Sequence, residues 1–185
     1  MGLPGRTCCF ILPFLVLFCL IGCATDGDEF KFTYPNEEAR LVGFESGSDP
    51  YGFGGILWEA DLSTLKGLEP YRTDKSHGGI DFYVRKGEAL RIGEESFDNA
   101  QYGFWDGKFY VGMIKTDGLA RWNTLKKAIF KHYGEGAKVF KNSEEYLWNG
   151  ENVIMALRYS EYLKRGIFYI RYEPLRKKML QSNLQ

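Results

Sequence analysis

Residues 100–134 read AQYGFWDGKFYVGMIKTDGLARWNTLKKAIFKHYG, and two periodicities meet within this stretch. Ala100–Trp105 and Lys108–Ile114 are β-rich runs flanking Asp106-Gly107. That dipeptide favours a type I′ turn, which needs positive φ at both central residues and matches the twist of the flanking strands. After Asp117 the period changes. Trp122, Leu125, Ile129 and Tyr133 recur at spacings of three and four, the apolar stripe of a helix over about 119–133. Arg121, Lys126, Lys127 and Lys131 fall off that stripe and can face water. Asp117 suits the N-cap and Gly134 the C′ position.

Working outward, Leu147-Trp148 and Glu151–Tyr159 flank Asn149-Gly150, a second I′ signal. Alternation puts Val153, Met155, Leu157 and Tyr159 on one face. A last strand, Ile167–Tyr172, follows a loop containing Lys164-Arg165-Gly166, and residues 176–185, with Arg176, Lys177 and Lys178, read as a frayed basic tail. Towards the N-terminus, Ile80–Arg85 and Ala89–Ile92 read as a hairpin around Lys86-Gly87-Glu88. Asp61–Gly67 suits one helical turn, capped by Asp61 or Ser63 and ended by Gly67. Tyr51–Trp58 is glycine-rich and then apolar. Phe30, Phe32 and Tyr34 alternate before Pro35, and Gly47-Ser48-Asp49-Pro50 is a turn or linker signal. The expected order is short helix, four strands, long helix, three strands. It describes one α+β domain over 51–175, an antiparallel sheet with the 119–133 helix packed on one face. The order resembles the small tandem α-then-β units of the BLIP- and SmpA-like folds, a resemblance that implies two such units.

The chain has 185 residues, 44% hydrophobic and 16% aromatic, enough to bury a core. It carries 24 basic and 24 acidic side chains. Arg6 is the only charged residue before Cys23, so the part after residue 22 holds 23 basic and 24 acidic groups, a net of −1. No strong field is expected, and nothing selects for nucleic acid.

All four cysteines, Cys8, Cys9, Cys19 and Cys23, lie in the first 23 residues. The domain therefore has no disulfide, no cysteine nucleophile and no cysteine metal ligand. Arg6 precedes an apolar run, Phe10–Gly22, of thirteen residues broken by Pro13. At about 1.5 Å per residue this run spans roughly 20 Å, short of a bilayer core of about 30 Å, which fits a secretory signal better than a membrane span. It ends Leu20-Ile21-Gly22-Cys23, which resembles the lipobox of bacterial lipoproteins. The resemblance implies removal of residues 1–22, diacylglycerol on the Cys23 sulfur, and a tether over 23–50. Ala24, where an Asp would favour inner-membrane retention, points to the outer membrane with the domain facing the periplasm; the inner membrane and the cell surface are the alternatives.

Chemistry is harder to read. No G-x-S-x-G elbow and no H-E-x-x-H spacing occur, and Ser46 and Ser48 lie in linker-like sequence. His77 lies in a Ser-His-Gly-Gly loop and His132 in the last turn of the helix, where the helix dipole favours a cation. The acids Glu59, Asp61, Glu94, Glu95 and Asp98 offer pairs, but among 24 acids pairing is trivial. Gly52-Phe53-Gly54-Gly55 lacks the phosphate-loop pattern and reads as a backbone bend. The aromatics Tyr102, Trp105, Tyr146 and Trp148 flank the two expected I′ turns. They would form a ligand-stacking rim if the hairpins lie side by side; packing in the core is the competing reading. No catalytic residue, metal site or cofactor is expected. The sequence thus predicts a lipid-anchored binding or assembly module of the cell envelope, its partner an envelope protein or glycan. The alternative is an envelope glycan or peptide hydrolase.

Overall fold

The computed structural model describes Phe44 and residues 49–75, 79–98 and 100–182. The leader and its lipobox with Cys23, the Phe30–Tyr34 alternation, Ser46, Ser48 and His77 lie outside the described residues. No helix among the described residues is long and apolar enough to cross a membrane.

The chain first forms a small hairpin, β1 (Gly52–Phe53) and β2 (Ile56–Leu57), then a single 3-10 turn at Leu62–Thr64. Next come β3 (Leu68–Asp74), β4 (Ile80–Arg85), β5 (Leu90–Ile92), β6 (Glu95–Phe97), β7 (Ala100–Trp105) and β8 (Lys108–Asp117). Helix α1 (Gly118–Tyr133) follows, then β9 (Ala137–Lys138), β10 (Glu145–Asn149), β11 (Val153–Ser160), β12 (Arg165–Tyr172) and helix α2 (Glu173–Ser182). Eight strands make one antiparallel sheet in the order β3-β4-β7-β8-β12-β11-β10-β9. The class is α+β with antiparallel sheet.

The stretch 100–134 folds as its two periodicities require. Asp106 (φ 49) and Gly107 (φ 69) take the positive angles of a I′ turn. Register aligns Ala100 with Ile114, Ile114 with Phe168, Phe168 with Leu157, and Leu157 with Tyr146. This row of buried side chains joins Trp122, Leu125 and Ile129 of α1 in one apolar cluster. Trp122 stacks on Tyr159 with ring centres 5.5 Å apart. Gly134, at φ 80, ends α1 with its N–H donating to the carbonyl of Phe130. Asp117 occupies the N-cap position without a side-chain cap bond. Its carboxylate instead accepts from Arg165 Nε at 3.2 Å across the β8–β12 pair.

Four local expectations are corrected. First, β4 does not pair with residues 89–92. Its two edges are taken by β3 and β7, a longer match than the 86–88 turn offers. The strand β3, with the irregularity its Pro70 creates, was not expected. Second, β5 pairs with β6 through Gly93-Glu94, a separate two-stranded sheet. Gly93 sits at φ 61, the first position of a II′-type turn. Third, Asn149-Gly150 makes no I′ turn. Asn149 stays in strand register with Ile154, and the chain turns through 150–152. Tertiary contacts override the local preference. The Asp49 carboxylate accepts the Asn152 N–H at 2.6 Å, and a Cβ on Gly150 would meet Phe44 Cδ2 at 2.7 Å. Gly150 is thus needed for close approach.

Fourth, the tail expected to fray from 176 is helical to Ser182. Leu175 and Met179, spaced i, i+4, are both buried. The Glu173 N–H donates to the Asn152 carbonyl at 2.8 Å. The Glu173 carboxylate takes both Arg171 (2.6 Å), itself buried, and Arg176 (3.5 Å). A negative charge in the first turn of a helix is favourable, and here it also neutralises the buried guanidinium.

Candidate functional site

A crevice lies where three separate pieces meet: the β1–β2 hairpin, the β5–β6 hairpin and the C-terminal end of α1. It has a volume of about 390 Å³, within the roughly 300–1,000 Å³ of ordinary small-ligand sites.

The β1–β2 hairpin turns on Gly54 (φ 59) and Gly55 (φ 76), a bend that only glycine makes without strain at both positions. The bend drives Phe53 and Ile56 inward, where both are almost fully buried. Phe53 sits on Gly112 of β8, where a Cβ would lie 2.5 Å from Phe53 Cγ. Its ring is 5.9 Å from that of Tyr102 and 6.3 Å from that of Phe168. Trp58, just after the hairpin, stacks between Phe109 (5.1 Å) and Tyr172 (5.8 Å) and donates from Nε1 to the Pro50 carbonyl at 2.6 Å. The hairpin is therefore held at both ends.

Leu90 and Ile92 of β5 and the Tyr133 ring supply the facing walls. Tyr133 stacks on Phe168 (6.1 Å), and the His132 ring stands edge-on to Tyr133 at 4.5 Å. Burial pushes the Tyr133 phenol up to about 12. Arg91 and His132, both exposed, stand at the rim, with exposed Leu57 beside them. The crevice thus has an apolar floor and two basic side chains at its mouth, and its lining includes no carboxylate. Comparison with family models, with curated proteins and with solved structures finds no match.

Of the four aromatics placed in a ligand-stacking rim, Tyr102, Tyr146 and Trp148 are buried. Trp105, paired with Lys108 at the turn, is the one left half-exposed. The rim does not form, because β12 separates the hairpin β7–β8 from the hairpin β10–β11. Trp148 instead packs under Gly136 and donates from Nε1 to the Gly134 carbonyl at 3.2 Å, closing the chain after α1. Tyr146 is edge-on to Phe130 at 4.9 Å.

The acids considered as carboxylate pairs are dispersed. Glu59 accepts from Lys178 at 2.9 Å, Asp61 from Lys108 at 2.8 Å, and Glu94 lies 3.7 Å from Lys131. Asp98 lines a smaller crevice of about 230 Å³ beside Lys115 and Arg121, and Glu95 belongs to β6. Among the described residues no group of three His, Cys, Asp or Glu side chains could hold a metal ion. His132 lies in the last turn of α1 together with Lys131, as the helix dipole favours.

Sequence reasoning had not brought out Arg91, Leu90, Ile92 or the crevice itself. A signal existed: Leu90 and Ile92 before Gly93-Glu94 and Phe97 after it form a short two-residue-loop hairpin pattern.

Proposed function

We propose that this chain is a lipid-tethered binding module of the cell envelope, with its domain facing the periplasm from the outer membrane. The observation that carries the binding part is the crevice, with its fixed apolar walls and two basic groups at the mouth. Sites of this kind bury an apolar group and use a few polar side chains to orient it. The tether part rests on the lipobox-like Leu20-Ile21-Gly22-Cys23. Two or more acyl chains would hold the domain stably, since each buried methylene contributes about 0.8 kcal/mol.

The sheet order also supports reading the domain as two units: β3-β4-β7-β8 and β12-β11-β10-β9 each run as a meander, and they meet at the β8–β12 pair. On this reading the crevice belongs to the layer that covers the β8–β12 seam.

The test is intact mass and membrane fractionation of wild type and Cys23→Ala in a Gram-negative host. Wild type should carry a lipid mass at Cys23 and sediment with outer membrane, and the variant should be released or unprocessed. Equal unlipidated masses and equal locations would overturn the tether. A photo-crosslinker at Leu57, which is 66% exposed at the mouth of the crevice, should capture an envelope component. The same label at Tyr71, 57% exposed on β3, should not capture it.

A further inference from the structure

We infer that the crevice between the β1–β2 hairpin, the β5–β6 hairpin and the end of α1 takes a small apolar group that carries a carboxylate. This deepens the binding-module reading and rests on it.

The size and lining set the apolar part. A volume of about 390 Å³ accepts one aromatic or branched side chain, or a short acyl chain. The walls are Phe53, Ile56, Leu90, Ile92 and the Tyr133 ring. They are fixed from behind: Phe53 by Gly112 and Tyr102, Tyr133 by Phe168. A pocket formed in advance loses little conformational freedom when filled.

The mouth sets the charged part. Arg91 makes no ion pair among the described residues, whereas nearby Lys131 is answered by Glu94. His132 stands on the same rim, with its ring held against Tyr133. With no carboxylate in the lining, a ligand anion meets attraction and no like charge there. A guanidinium binds a carboxylate through two parallel N–H donors, which also fixes its orientation. A neutral ligand of the same shape would leave these donors to water.

A carboxylate on an apolar group has two sources in an envelope: the end of a peptide chain and an acyl chain. The experiment uses the processed, lipid-bearing protein in non-ionic detergent, titrated with N-acetyl-phenylalanine, its neutral amide, and octanoate. Binding is read by calorimetry and by the His132 ring signals in NMR, assigned with His132→Asn. The carboxylate of N-acetyl-phenylalanine or octanoate should bind with shifts at His132, and N-acetyl-phenylalaninamide should bind at least tenfold more weakly than its acid. Preference for the amino-acid probe identifies a peptide end, and preference for octanoate an acyl chain. Arg91→Gln should weaken the acid at least tenfold and leave the amide unchanged. Leu57→Glu, which adds a negative charge at an exposed wall without touching the core, should weaken the acid further still.

Equal binding of acid and amide, or an unchanged affinity in Arg91→Gln, would overturn the carboxylate assignment. The binding-module reading would then stand or fall separately, on whether the label at Leu57 captures an envelope component. Failure of both acids to bind, with Leu57 still crosslinking, removes the ligand class alone. Failure of both measurements removes both readings.

Discussion

Gly112→Ala tests how the crevice is built. The added Cβ would lie 2.5 Å from Phe53 Cγ, where carbon atoms prefer about 3.5–4.0 Å. The ring must therefore retreat by more than about 1 Å. Tyr102 and Phe168 flank the ring, so it can retreat only towards the crevice, at the expense of those contacts. Overpacking of this kind costs about 1–3 kcal/mol, offset by the roughly 0.5–1 kcal/mol that Ala gains over Gly in a strand. If the β1–β2 hairpin lifts away entirely, Phe53 and Ile56 both lose their burial, about 1.5–3 kcal/mol each, which sets a ceiling of about 3–6 kcal/mol. A net loss of about 1 kcal/mol is expected, or roughly 2–4 °C in Tm for a chain of this size. The assay is equilibrium unfolding in guanidinium chloride, followed by the fluorescence of the four tryptophans. The decisive comparison is Phe53→Ala. In that background the Gly112→Ala penalty should vanish or reverse sign, giving a coupling of about 1–3 kcal/mol between residues in contact. A change within 0.5 kcal/mol in the wild-type background, or the same penalty in both backgrounds, would refute the idea that Gly112 exists to seat Phe53.

Three further outcomes follow from the same packing. The Tyr133 phenol is raised by burial to about 12 from an ordinary 10.0, so the folded state holds its proton more tightly than the unfolded state. Its contribution is complete below pH 10 and is lost as pH rises towards 12; burial raises Tyr102, Tyr110 and Tyr169 as well, so Tyr133→Phe should reduce the alkaline loss in Tm and remove one phenol from the late part of a 295 nm phenolate titration. Glu144 is different. Burial pushes its carboxyl up, but the hydrogen bond from Lys126 at 2.6 Å, with the charges of Lys126 and Lys138, outweighs this and holds it below the ordinary 4.5. Stability from it is present above pH 4.5 and is lost as pH falls through the folded value, so Glu144→Gln should cost under about 1 kcal/mol at pH 7, a difference that closes in acid melts. Trp148→Ala should cost about 3–5 kcal/mol, because its ring is 2% exposed and its Nε1 donates to Gly134; an unfolding midpoint within 0.5 kcal/mol of wild type would contradict its core placement.

The sequence was most legible where one local rule and the tertiary fold agree. Asp106-Gly107 makes its turn with both residues exposed, and the tertiary bond it takes, the Leu62 N–H donated to the Gly107 carbonyl at 2.8 Å, leaves the I′ angles in place. Asn149-Gly150 carries an equal local signal and fails, because Phe44 and Asp49 press on the turn from about a hundred residues earlier in the chain. A dipeptide rule has no access to that contact. The helix α1 was legible because its apolar stripe repeats over four turns, each packing on the same seam of the sheet. Helix α2 has only Leu175 and Met179 inward and is held by Glu173, whose partners Arg171 and Asn152 belong to the sheet and its turn. Its amphipathic signal is one pair long, and the rest of its stability is tertiary.

The crevice was illegible for a related reason. Its residues come from positions 52–57, 90–92 and 132–133, three segments with no common motif, and each has a sufficient local explanation. The glycines at 54 and 55 explain a bend, Gly93-Glu94 explains a hairpin, and His132 explains a helix end. None of these needs a ligand. What no segment explains is the gap left between them. Phe53 could seat closer to α1 only by leaving Gly112, and Tyr133 could close the gap only by leaving its stack on Phe168. The sheet holds both walls apart from beneath, so the opening follows from packing against β8 and β12. Its basic mouth, in contrast, rests on exposed side chains that the fold does not require. Arg91 can change to Gln at little cost to stability, which is why binding and folding are separable at this site and why Arg91, more than any buried residue, carries the test of function.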